Sequence, residues 1–343
     1  MTHDQLTSLI ATALAEDIGS GDITSQLLIP ETAQAEMRFV AREDMVACGM
    51  FVPEAVYSFF RSPLEGEQTS ASPQDAARVV GGITPPASAF VLLMQNSASA
   101  ALPQGEGEAL MHVEAVVQEG QLVKAGTVLA TASGSARALL AGERVTLNLM
   151  QRMCGVATLT ARFVERVAGT KAVILDTRKT MPGLRALDKY AVKTGGGQNH
   201  RMGLWDAVLI KDNHIALRGQ DSGFGIREII ADIRKKLFSL NPESRVLPPV
   251  IIECDTLSQV EQALAAKPDR ILLDNMDIDT LKKAAALAAG KVPLEASGGV
   301  SLETVRAIAE TGVDYISVGK VTHSAPAADI GADIVIQSKS KQK

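Results

Sequence analysis

From residue 172 onward the chain alternates short aliphatic runs with segments of helical period. The runs AVILD (172–176), AVLIK (207–211), VIIEC (250–254), RILLD (270–274), PLEAS (293–297) and YISVG (315–319) predict six strands. Their apolar residues are continuous rather than alternating, which predicts strands covered on both faces. Between them LRALDKYAVK, IREIIADIRKKLF, TLSQVEQALAAK, DTLKKAAALAA and SLETVRAIAETG place apolar residues at helical spacing. The last four strands begin about 20 residues apart, the spacing of repeated β-α units in a parallel sheet. Strand ends choose between an open sheet and a barrel. They carry Asp176, Lys211, Glu253, Asp274, then Ser297-Gly298-Gly299, then Gly319-Lys320. In a closed barrel these ends converge on one mouth, where barrel enzymes keep their chemistry. The pattern predicts a (β/α) barrel of six to seven strands.

The front half is mixed. A helix is expected over 4–16, a turn-rich segment at EDIGSGDIT, a strand at AEMRFVARE and a helix at VPEAVYSFF. HVEAVVQEGQLVKAGTVLATASGSA alternates like a small β unit turning at Gly120 and Gly126. Residues 142–168 predict a long helix leading into the barrel. Residues 62–109, rich in Ser, Gly, Pro, Ala and Gln, predict a surface insertion, and SKSKQK predicts a solvated tail.

Composition narrows the class. The 343 residues are 46% hydrophobic and 21% charged, an ordinary globular balance whose length suggests about two domains. A net charge of −5 gives no global basic field for nucleic acid. Cys48, Cys154 and Cys254 form no CxxC pair and no disulfide framework, which fits a reducing compartment. Cys154 and Cys254 are expected in the core. No apolar run approaches bilayer length, and the first residues lack the basic start of a signal peptide. A cytoplasmic protein is expected.

Charge is concentrated locally. Residues 176–214 hold seven Lys/Arg against four Asp, a local +3 in a negative chain. Arg178, Lys179 and Lys211 sit at or just past the ends of buried strands, so an anionic ligand is expected there. Arg185, Lys189 and Lys193 read equally well as a solvated helix face. His200 and Arg201 follow a triple-glycine turn, read as letting the backbone approach a ligand. Glu253 and Asp274 end successive strands and could hold a magnesium ion, bind sugar hydroxyls or offset a developing positive charge. EASGGVS and ISVGKVTHS put glycine turns after the last two strands, a recurrent place for phosphate. No GxGxxG follows a strand, and no GxxxxGK[ST], HExxH or GxSxG occurs.

DTRKTMPGLRALDKYAVKTGGGQNHR, followed by IKDNHI, IIECD, LLDNM and EASGG, resembles the quinolinate phosphoribosyltransferase family, as do EDIGSGDITS and ERVTLNLMQRMCGVATLTARFV. The resemblance spans most of the chain outside 62–109. It implies an α/β fold: an N-terminal α+β open sandwich over 1–154, a barrel over 155–324, and a tail over 325–343 returning to the N-terminal domain. It implies conversion of quinolinate and phosphoribosyl pyrophosphate to nicotinate mononucleotide, pyrophosphate and carbon dioxide with Mg²⁺, a step of NAD biosynthesis. By motif match, Arg144, Thr177, Arg178, Lys179, His200, Arg201 and Lys211 bind quinolinate or phosphate. Glu253 and Asp274 face the ribose and the metal. Ser297, Gly298, Gly299, Gly319, Lys320 and Val321 belong to the 5′-phosphate end. Lys179, Lys211, Glu253 and Asp274 are the catalytic set. A homodimer with shared sites is implied, Arg144 reaching the partner's site, with room for a higher oligomer. Two alternatives stay open: a molybdenum-operon homologue of the family with an unknown substrate, and a non-catalytic phosphosugar-binding barrel.

Overall fold

The computed structural model describes residues 2–61, 111–222, 225–240 and 247–335. The expected insertion at 62–109 and the SKSKQK tail lie outside the described residues. The chain divides into two compact units, Met1–Gly155 with Ala327–Lys343, and Val156–Pro326. Among the described residues the strands are, in chain order, β1 (Gln34–Ala41), β2 (Met45–Val46), β3 (His112–Ala115), β4 (Leu122–Val123), β5 (Val128–Ser135), β6 (Val173–Leu175), β7 (Val208–Ile210), β8 (Val250–Cys254), β9 (Arg270–Asp274), β10 (Leu294–Ser297), β11 (Tyr315–Ser317) and β12 (Ile330–Val335).

The N-terminal unit is built on an antiparallel sheet of order β12-β1-β5-β3. Strand β1 alternates: Ala35, Met37 and Phe39 are buried, while Glu36 and Arg38 form an ion pair on the other face. Gly120 and Gly126 take left-handed φ values of 79° and 87°, which only glycine adopts at little cost. Helix His3–Ile18 opens with a Thr2/Gln5 capping box and buries Ile10, Ala11 and Leu14. EDIGSGDIT is not all turn. Asp22 accepts the Ser25 N–H at 3.0 Å and starts a short helix, Ile23–Leu28.

The long helix runs from Ala136 to Arg166, starting six residues before the expected Gly142. Gly142 is a contact residue rather than a helix start. A Cβ there would lie 2.6 Å from the Tyr57 ring, whose hydroxyl donates to the Leu139 carbonyl at 3.0 Å.

In the second unit, six parallel strands take the order β6-β11-β10-β9-β8-β7. The first strand pairs with the last, Val173 against Tyr315 and Leu175 against Ser317. Gln198 bridges Leu175 on the free side of β6. Seven parallel segments thus follow the chain in circular order, and pairing of first with last marks a barrel rather than an open sheet. All six expected strands occur; β8 and β9 have the expected bounds, and β6, β7 and β11 end short of Asp176, Lys211 and Gly319, while β8 is buried at every residue. Thr256 and Asp277 cap the helices Leu257–Ala266 and Ile278–Ala288 just past β8 and β9. The helix Asp212–Ser222, directly after β7, is not among those expected, because IKDNHIALRGQ lacks an apolar stripe. Among the described residues no helix is long and apolar enough to cross a membrane.

Candidate active site

A cavity of about 510 Å³ opens at the C-terminal ends of the barrel strands. Its chemistry falls into three sectors that follow strand order. Thr177, Arg178 and Lys179 follow β6, His200 and Arg201 follow the Gln198 bridge, and Lys211 follows β7. Glu253 and Asp274 come from β8 and β9. Ser297, Gly298 and Gly299 follow β10, and Gly319 and Lys320 follow β11. Leu209, Leu272 and Val300 supply apolar wall.

Thirteen of the fifteen expected site residues therefore line one cavity. Arg144 does not. It lies in the N-terminal unit on the long helix, exposed, its guanidinium 3.7 Å from Glu143. Val321 does not either: its side chain is fully buried in the short helix Lys320–His323. An aliphatic residue on the inner face of that helix goes to the core, so the Val321 side chain leaves the ligand set.

Lys211 Nζ donates to Glu253 Oε2 at 2.7 Å, joining the cationic and acidic sectors. Asp274 accepts from the Asn275 amide at 2.7 Å. Asn275 has a left-handed φ of 52°, and a Cβ on Gly298 would overlap its side chain, so glycine is required for this close approach. Gly319 is hemmed in by Lys179 and His323, a Cβ lying 3.2 and 3.1 Å from them. The Thr322 hydroxyl donates to the Lys179 carbonyl at 2.8 Å and fixes that loop.

Beneath the cations lies a buried pair, Asp176 with Lys189, 0% and 1% exposed. Lys189 is therefore not part of a solvated helix face, because a carboxylate at the end of β6 draws it inward. Burial pushes the Asp176 carboxyl up and the Lys189 amine down, while their mutual attraction opposes both shifts. Arg185 is also engaged, donating to Thr180 Oγ1 at 3.0 Å and the Met202 carbonyl at 3.2 Å; Lys193 is exposed. The triple glycine serves packing rather than ligand approach. A Cβ on Gly195 would lie 2.4 Å from the Ala157 carbonyl, and one on Gly197 would lie 2.9 Å from the Thr160 methyl. Burial, with the nearby Arg178 guanidinium, lowers the pKa of Arg201.

Sequence reasoning passes over three groups. Glu295 is fully buried at the cavity wall, with Arg270 Nη1 donating to it at 2.9 Å and Ser317 hydrogen-bonded to its other oxygen. Burial alone would raise its pKa, but His200, Ser317 and Arg270 outweigh that and hold the carboxyl below the usual range. Asp255 is the second: one oxygen each of Glu253, Asp255 and Asp274 lie within 4.8 Å of one another. Three hard oxygen donors suit a magnesium-like cation. His323 is the third; Glu295, Asp255 and His323 end or sit within EASGG, IIECD and VGKVTHS, and a wider reading of those motifs could have found all three.

A family model described as "Quinolinate phosphoribosyl transferase, C-terminal domain" matches residues 156–333, and its N-terminal counterpart matches 97–154. The chain belongs to the quinolinate phosphoribosyltransferase family. Within it, the chain is 36% identical over 343 residues to a probable carboxylating nicotinate-nucleotide pyrophosphorylase of Bacillus subtilis, covering 100% of this chain and 98% of that protein. A Mycobacterium leprae protein of the same name is 45% identical over 221 residues, 64% of this chain and 73% of that protein. The solved nicotinate-nucleotide pyrophosphorylase of Francisella tularensis superposes with a TM-score of 0.72 at 32% identity, covering 98% of each chain. The N-terminal match begins at residue 97, inside the stretch expected to be an insertion.

Proposed function

We infer that this chain is a quinolinate phosphoribosyltransferase. It joins quinolinate to phosphoribosyl pyrophosphate and releases nicotinate mononucleotide, pyrophosphate and carbon dioxide, a step of de novo NAD biosynthesis. The observation that carries the reading is the division of one cavity by strand order: cations on β6, the bridge and β7, carboxylates on β8 and β9, glycine turns on β10 and β11. A dicarboxylate, a ribose and a 5′-phosphate each match one sector.

Arg178, Arg201, Lys179 and Lys211 hold the two carboxylates, whose charge they offset. The backbone N–H groups around Gly298 and Gly319, with Lys320, take the phosphate. The pyridine nitrogen then attacks the anomeric carbon, and the C–O bonding pair leaves with pyrophosphate. Glu253 and Asp274 face the ribose and stabilise the positive charge that develops at that carbon. As the carbon–carboxylate bond beside it breaks, the bonding pair stays on that ring carbon, where the now cationic nitrogen stabilises it until it is protonated. Carbon dioxide departs and a proton replaces it. Most of the protein's contribution is positioning and electrostatics.

Mg²⁺ belongs to this reading. Glu253 and Asp274, joined by Asp255, would hold it, where it would offset charge on the leaving pyrophosphate. The reading also includes a homodimer in which Arg144 of the partner subunit completes each site, and a cytoplasmic location in keeping with three free, buried cysteines. The test is turnover of quinolinate by the purified chain with phosphoribosyl pyrophosphate and Mg²⁺. Nicotinate mononucleotide and carbon dioxide should form in equal amounts. No turnover, with the protein folded, would overturn the reading.

A further inference from the structure

Every polar atom of His200 is taken by another residue of the chain. Its backbone N–H donates to Asp176 Oδ1 at 2.8 Å, and its carbonyl accepts from Lys189 Nζ at 3.1 Å. Its ring Nδ1 accepts the Arg201 backbone N–H at 2.7 Å. Its ring Nε2 lies 3.3 Å from Glu295 Oε2, and the side chain is only 8% exposed. With the Asn199 amide nitrogen turned inward, that group donates to Asp176 Oδ2 at 2.8 Å and the Lys189 carbonyl at 2.9 Å, so the same pair also holds the preceding residue.

An imidazole whose Nδ1 accepts a hydrogen bond carries its proton on Nε2. That proton faces Glu295, a carboxylate with no solvent exposure, tied to β9 through Arg270 and to β11 through Ser317. Arg270 is braced in turn by the Tyr315 ring, 4.0 Å from its guanidinium carbon. A rigid path therefore runs from the barrel interior through Glu295 and the His200 ring to the Arg201 backbone. At its far end the Arg201 guanidinium lines the cavity, one arm donating to the Ala207 carbonyl at 3.1 Å.

We propose that Glu295 and His200 are positioning residues for Arg201. Glu295 fixes the imidazole tautomer, and the imidazole fixes the backbone that aims the guanidinium at a substrate carboxylate. This rests on the quinolinate reading for its kinetic test, but not for its spectroscopic one. His200 then contributes no free ring nitrogen to the ligand.

The experiment compares wild type with Glu295→Gln, which keeps the shape and removes the charge, and with His200→Asn, which keeps an acceptor near the Nδ1 position. Ring ¹⁵N spectra of the ligand-free protein should show His200 as the Nε2–H tautomer in wild type and as a tautomer mixture in Glu295→Gln. In turnover, Glu295→Gln should raise KM for quinolinate on the order of tenfold, leaving KM for phosphoribosyl pyrophosphate within about twofold. His200→Asn should retain more quinolinate affinity than His200→Ala. An Nδ1–H tautomer in wild type would overturn the proposal. So would equal losses in His200→Asn and His200→Ala, or parallel increases in both KM values in folded Glu295→Gln. If wild type shows the Nε2–H tautomer but no turnover, the function falls and the spectra of Glu295→Gln still decide the positioning role.

Discussion

Lys211 Nζ and Glu253 Oε2 meet at 2.7 Å across the adjacent strand ends of β7 and β8. The amine is half exposed and the carboxylate nearly buried. In the proposed reaction Lys211 thus neutralises the acid assigned to the ribose while remaining open to the dicarboxylate. Removing it leaves Glu253 without that partner and the substrate short of a cation. Lys211→Ala should lower kcat/KM by roughly 10- to 150-fold, from about 1.5–3 kcal/mol for a charge-assisted contact. Lys179→Ala should do likewise, with the circular dichroism of both variants unchanged. Wild-type kcat/KM in both would remove the cations from the mechanism.

Asp255 follows β8 directly, two residues after Glu253, with a carboxylate oxygen within 4.8 Å of those of Glu253 and Asp274. Asp255→Asn should raise the Mg²⁺ concentration for half-maximal activity by roughly 10-fold, a typical cost of losing a metal-site partner. Titration calorimetry with Mg²⁺ should show the same weakening. Chelation of Mg²⁺ should stop turnover, and its return should restore it.

The Asp176–Lys189 pair supports the cation cluster from below. Lys189→Met strands a carboxylate that has no solvent exposure, and should destabilise the protein by about 3–5 kcal/mol in urea unfolding. The double variant Asp176→Asn, Lys189→Met should regain part of that loss, since a neutral pair needs no counter-charge. A Lys189→Met protein as stable as wild type would mean that the pair is solvated.

Burial pushes the Cys154 and Cys254 thiols up to about 12. A raised thiol pKa means that thiolate forms only in strongly alkaline solution, whereas an unfolded cysteine titrates near 8.5. At pH 8 the native protein should therefore not react at these thiols with a disulfide reagent. All three cysteines should react once the chain is denatured. Rapid native labelling at either position, read by mass spectrometry, would contradict the burial.

Arg144 lies outside the cavity, its own side chain exposed on the long helix. If it serves a second copy's site, mixing Arg144→Ala with Glu253→Ala subunits gives dimers with one intact site and one doubly defective site. Each mixed dimer should recover about half the wild-type activity. No recovery, with subunit exchange verified by mass, would assign Arg144 to its own chain or to no site.

The barrel was legible because its signal is additive: six aliphatic runs, most of them closing on a charged or small residue, repeat the same message. The cavity's outer residues were legible for the same reason, since Arg178, Lys211, Glu253 and Asp274 punctuate strand ends. Strand ends do not reveal which charges turn inward. Lys189 has helical spacing like Lys193, yet one is buried and the other exposed, because only Lys189 faces Asp176. Glu295 stands between two apolar neighbours in LEAS, where an isolated acid gives no hint that Arg270, Ser317 and His200 await it. Its partners lie 22 to 95 residues away and meet only when the barrel closes.

Strand β12 comes from the far side of the barrel in sequence, yet it pairs with β1 through six residue pairs from Glu36–Val335 to Ala41–Ile330. The barrel is therefore inserted into the N-terminal unit's sheet, which stays unfinished during synthesis until the ribosome has released residue 335. Until then one side of β1 is an uncovered edge of unpaired N–H and C=O groups, a template for pairing with another chain. Chains that stall or are cleaved before Ile330 carry a complete barrel and that open edge together. The species most open to mispairing is then a chain with a finished barrel and no β12.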